Sequence, residues 1–83
     1  MKTVTMLFAR FESATVNLED IAKEFFGLTP DQAKRQAGTG QLPVPAFRIG
    51  KAKAPWLVHL DDLAKHIDQA REQAKNDHQK LHA

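Results

Sequence analysis

The 83-residue chain has no cysteine, so neither a disulfide nor a thiolate metal site can staple its fold. It also lacks a long apolar run. Its longest stretches, such as Met6-Leu7-Phe8-Ala9, fall far short of the roughly 20 residues that span a bilayer. No extended apolar segment with a cleavage site follows the first lysine, which argues against a secretory signal. These absences point to a soluble, cytoplasmic protein with no membrane partner. Proline and glycine, four of each, punctuate only the middle of the chain, and no repeat stands out. One domain over 1–83 is expected, with 75–83 as a tail that is either solvated helix or frayed.

The means of catalysis are missing as well. No nucleophilic cysteine, serine elbow or glycine-rich phosphate loop accompanies the histidines His59, His66, His78 and His82. His78 and His82 stand at i, i+4, as a helical metal pair would, but no third ligand is evident. His59 sits where a strand turns into a helix, the place of a hydrogen-bonded structural residue. A chain of roughly 80 residues seldom leaves a cleft large enough for a substrate. The expectation is a non-enzyme without cofactor or metal.

A further absence concerns charge of one sign. Between Asp31 and Asp61 there is no carboxylate, but there are five cations: Lys34, Arg35, Arg48, Lys51 and Lys53. The rest of the chain, with seven cations against ten carboxylates, balances at −3. A basic middle between acidic ends is the pattern of a polyanion footprint, although scattered cations also solvate a surface.

The elements follow from periodicity and punctuation. Thr3-Val4-Thr5 favours a strand and Met6 to Phe11 suits a helix; the balance falls to helix. Asn17 offers an N-cap, with Glu19 and Asp20 in the first turn, and Leu18, Ile21, Ala22 and Phe25 form one apolar stripe. Gly27 ends that helix. Thr29-Pro30-Asp31-Gln32 reads as a capping box that opens a second helix to about Ala37, stopped by Gly38 and Gly40. Ala33 and Ala37 face inwards. Two short helices around a glycine turn make a helix-turn-helix, whose second member enters the major groove. Leu42 to Pro45 must be extended. Ala46 to Ile49 and Trp56 to Leu60 then read as a β-hairpin with Lys51-Ala52-Lys53 at its tip, the geometry of a wing. Asp61 and Asp62 open a long last helix whose stripe is Leu60, Leu63, Ala64, Ile67, Ala70 and Ala74.

The fold class expected is therefore mainly α with a small β-hairpin, a winged helix-turn-helix with a long C-terminal helix. Its DNA-binding candidates are Gln32, Lys34, Arg35, Gln36, Thr39, Arg48, Lys51 and Lys53. Arg35 suits guanine O6 and N7, Gln32 or Gln36 suits adenine, and Lys34, Lys51 and Lys53 suit phosphates. Arg48 can serve a phosphate or the minor groove. Trp56 and Phe47 are core aromatics or stacking platforms for single strands.

The segment Gly40-Gln41-Leu42-Pro43-Val44-Pro45-Ala46-Phe47-Arg48, with Lys53-Ala54-Pro55-Trp56-Leu57-Val58-His59-Leu60-Asp61-Asp62-Leu63-Ala64 and Ile67-Asp68, closely resembles the pyocin activator protein family. Phe11 to Leu18 and Phe26-Gly27-Leu28 resemble it too, so that the likeness covers about 6–74. It implies a small transcriptional regulator that activates prophage or bacteriocin genes by binding double-stranded promoter DNA. More distantly the chain is similar to the excisionase and Cox group, a resemblance that implies a winged helix-turn-helix of excisionase/MerR-like type. Three readings compete: a sequence-specific activator, an excisionase-like architectural protein, and a phage-encoded protein-interaction module that uses the last helix. A homodimer or higher assembly on DNA and a contact with RNA polymerase accompany the first.

Overall fold

The computed structural model describes residues 2–51 and 53–82. It is mainly helical, with a small two-stranded antiparallel sheet and a long C-terminal helix. The order is α1 (Thr3–Phe11), β1 (Thr15–Asn17), α2 (Leu18–Ile21) with a π-helical extension (Ala22–Phe26), α3 (Pro30–Thr39), β2 (Leu57–His59) and α4 (Leu60–His82). Among the described residues no helix is long and apolar enough to cross a membrane.

The strand propensity of Thr3-Val4-Thr5 loses to packing. As a helix, α1 brings Val4, Leu7 and Phe11 onto one face against the core, with Leu7 buried. Its C-cap is Glu12, at a left-handed φ of 54°. The chain then enters β1, a strand absent from the sequence reading. Thr15, Val16 and Asn17 pair antiparallel with His59, Val58 and Leu57. The ladder continues one rung each way: Leu18 N–H donates to the Trp56 carbonyl and Leu60 N–H to that of Ala14, both at 2.9 Å.

Asn17 holds the N-cap position of α2, but its side chain makes no capping bond there. Leu18, Ile21 and Ala22 are buried. The π turn then widens the helix, and Gly27 closes it with a left-handed φ of 66°. The capping box forms as expected. Thr29 Oγ1 accepts from Gln32 N–H at 3.2 Å, and Gln32 Oε1 accepts from Thr29 N–H at 3.0 Å. One expectation at the far end is corrected: α3 does not stop near Ala37 but runs through Gly38 to Thr39. Gly40, at φ 71°, takes the left-handed cap, with Gly40 N–H on the Ala37 carbonyl and Gln41 N–H on that of Gln36.

Gly38 is therefore a helix-interior glycine, and a Cβ there would meet nothing within 4 Å. Gly38→Ala is expected to stabilise the fold by about 0.5–1 kcal/mol, since it removes backbone freedom from the unfolded chain. A thermal melt by circular dichroism checks this, and an unchanged or lowered midpoint contradicts it.

The hairpin is also revised. Its strands meet at a single bridge, in which Phe47 and Leu57 exchange both backbone bonds, at 2.9 and 2.7 Å. In that register the next hydrogen-bonded pairs would be Pro45 with His59 and Ile49 with Pro55. Each contains a proline, which has no N–H to give, so the ladder ends on both sides. The regular partner of β2 is β1 instead.

The helix α4 starts at Leu60, one residue earlier than the aspartates suggest. His59 takes the capping position, its Nδ1 accepting from Asp61 N–H at 3.1 Å. Leu60, Leu63 and Ala64 are buried and Ile67 is half-buried. Thr3 Oγ1 reaches Asp68 at 2.6 Å, and the Phe26 ring lies 5.2 Å from that of His66. Beyond Ile67 every described residue is exposed, Ala70 and Ala74 included, yet the helix continues through the tail to His82.

Candidate nucleic-acid interface

The buried face of α3 is made by Ala33, which is fully covered, and by half-buried Ala37 and Gln36. Small side chains here let α3 lie close against α2. At 100° per residue the opposite face carries Asp31, Gln32, Lys34, Arg35, Gly38 and Thr39, all exposed.

The five α3 candidates differ in their commitments. Gln32 gives its carboxamide oxygen to the capping box, leaving only the amide nitrogen to donate elsewhere. Gln36 is half-buried on the flank. Thr39 turns its hydroxyl back onto the helix, donating to the carbonyls of Arg35 at 3.2 Å and Gln36 at 3.3 Å. Lys34 lies 3.5 Å from Glu19 and 3.6 Å from Asp31, so the stretch without carboxylates in sequence is not without them in space. Arg35 alone of the five is exposed with no ion pair or side-chain hydrogen bond among the described residues.

The remaining candidates lie on the ribbon between Phe47 and Leu57. Arg48 sits over Trp56, its guanidinium carbon 4.2 Å from the ring centroid. Gly50, at φ 101°, turns the chain, and Ala54 N–H closes the tip onto the Lys51 carbonyl at 2.9 Å. Lys51 and Lys53 are exposed there, and neither has an ion pair among the described residues. Ala52 lies outside those residues. Leu42 to Ala46 joins α3 to the ribbon and is pinned by buried Val44. Trp56 is half-buried against the core, and Phe47 packs in the bridge.

One cation the sequence reading passed over is fixed elsewhere. Arg10 grips Glu24 with both terminal guanidinium nitrogens and lies over the rings of Phe11, at 4.8 Å, and Phe25, at 5.6 Å. The hydrogen bonds from Arg10 hold the Glu24 carboxyl below its ordinary value of 4.5, and the reciprocal bond raises Arg10. This pair belongs to the α1–α2 junction. No local spacing signals it, because the partners are 14 residues apart.

The histidines gather no ligand set. The His78 and His82 rings stack at 4.3 Å on the exposed end of α4, and no group of three metal-ligating side chains occurs among the described residues. His59 is spent on the α4 cap.

Comparison with curated proteins finds no match, and comparison with solved structures finds none either. The family model described as "Pyocin activator protein PrtN" matches residues 3–74, a span that runs from the first residue of α1 into α4 and takes in the capped helix and the ribbon. The chain belongs to the pyocin activator protein family.

Proposed function

We propose that this protein is a sequence-specific double-stranded-DNA-binding transcriptional activator of prophage or bacteriocin genes, working in the cytoplasm. In this reading α2, the Gly27 turn and α3 form the helix-turn-helix, α3 enters the major groove, and the ribbon from Phe47 to Leu57 is the wing. The observation that carries it is Arg35, an exposed guanidinium without a side-chain partner among the described residues, on the outward face of a doubly capped helix. Such a fork matches guanine O6 and N7. Lys51 and Lys53 on the wing suit phosphates, and Lys34 reaches them only by leaving Glu19 and Asp31. The family's description supports activation rather than catalysis.

One reading helix covers a short stretch of duplex, so the protein acts as a homodimer or a higher assembly on DNA. The exposed stripe of Ala70, Ala74 and Leu81 on α4 is the surface available for pairing, or for RNA polymerase. The test is a titration against fluorescent promoter fragments from the host chromosome at increasing salt. Binding whose logarithm falls linearly with the logarithm of salt, by about 0.9 for each phosphate contact, is expected. A flat titration at about 50 mM salt, where phosphate contacts are strongest, overturns the reading.

A further inference from the structure

The register of the ribbon pairs Arg48 with Trp56. Phe47 and Leu57 exchange both backbone hydrogen bonds, so the next pair outwards faces across a non-hydrogen-bonded position, where side chains come closest. The 4.2 Å from the Arg48 guanidinium carbon to the indole centroid is well inside the roughly 6 Å over which a cation is drawn to a ring face. Trp56 is itself anchored. Its carbonyl takes the N–H of Leu18, a fully buried residue at the start of α2, and its ring packs against the core. Arg48 nevertheless remains exposed. A mobile arginine must be ordered when it binds, whereas one stacked on an anchored indole has lost most of that freedom beforehand.

We propose that Trp56 is a positioning residue for DNA recognition: it holds the Arg48 guanidinium in a preorganised pose towards the duplex at the base of the wing. This rests on the DNA-binding reading above. The planar guanidinium is needed because it can stack through its face while its in-plane N–H groups donate to phosphate or base-edge acceptors. Lysine offers a point charge with no face to stack.

The test is a double-mutant cycle on affinity for a fluorescent promoter fragment, with a thermal melt of each variant. Arg48→Ala is expected to weaken binding about tenfold and Trp56→Leu about threefold to tenfold, the range of a lost contact and a lost cation–π support. Trp56→Phe, which keeps a ring face, should restore affinity to within about twofold. In the Arg48→Ala background Trp56→Leu should weaken binding no further. Arg48→Lys guards against a Trp56→Leu chain that fails to fold: it keeps the charge and should still lose affinity several-fold. Additive losses, or full affinity in Arg48→Lys, overturn the proposal. Full affinity in Arg48→Ala removes it while leaving the DNA-binding reading intact, and a wild-type chain that ignores DNA removes both.

Discussion

Leu18→Ala is expected to lower the free energy of unfolding by about 2–5 kcal/mol, the range for emptying a fully buried leucine site. Domains commonly hold about 5–15 kcal/mol in total, and a chain this short sits towards the lower end, so the variant should be largely unfolded at modest urea. The position explains the size of the effect. Leu18 is 0% exposed, begins α2, and donates its backbone N–H to Trp56, so one side chain fills the place where sheet, helix pair and ribbon meet. The core cluster it belongs to includes Ile21, Val58, Leu60 and Leu63, themselves nearly or fully buried and held by two helices and a strand. Such walls cannot collapse inwards cheaply. Leu81→Ala is the control: at 81% exposure it should change stability by no more than about 0.5 kcal/mol. Urea melts followed by far-UV circular dichroism measure both. A loss below about 1 kcal/mol for Leu18→Ala would mean that the junction is not the centre of the core.

What was legible in the sequence was whatever chemistry acts between near neighbours. The α3 start is the clearest case, because Thr29, Pro30 and Gln32 carry the whole capping box within four residues. The C-terminal end of that helix was less legible. Both Gly38 and Gly40 are plausible stops, and the left-handed Gly40 with the backbone bonds from Gly40 to Ala37 and from Gln41 to Gln36 shows that the second one serves. The strand β1 was hidden for a different reason. It is three residues long, and its partner β2 begins 40 positions later, so no turn joins the two. The ribbon was seen as a fuller hairpin than it is, although Pro45 and Pro55 already stated where the ladder must end once the Phe47–Leu57 register is known. The charge pattern misled in the same way. Lys34 stands in a carboxylate-free stretch of sequence, yet α2 brings Glu19 to within 3.5 Å of it. Long-range pairing thus balances one candidate cation on the outward face and leaves Arg35 as the unpaired one among the described residues.

That isolation sets the second large effect. Arg35→Ala is expected to weaken binding to the preferred promoter site by about 1–3 kcal/mol while barely changing affinity for unrelated duplex, so that preference is lost along with strength. The fold should be untouched, because the Arg35 side chain is exposed and holds no partner among the described residues. Lys51→Ala should behave otherwise. On the proposed reading a lysine at the tip of the ribbon meets phosphates, which are the same at every sequence, so all duplexes should weaken alike and the salt slope should fall by about one. Lys34→Ala should fall with Lys51→Ala. Removing a lysine already balanced by Glu19 and Asp31 leaves those two carboxylates uncompensated beside the groove, so its effect should also be sequence-independent. Competition titrations with specific and nonspecific fragments at several salt concentrations separate Arg35→Ala from the two lysine variants. If Arg35→Ala and Lys51→Ala gave the same change in preference and in salt slope, α3 would not be the reading helix. The basic surface would then hold DNA without reading it.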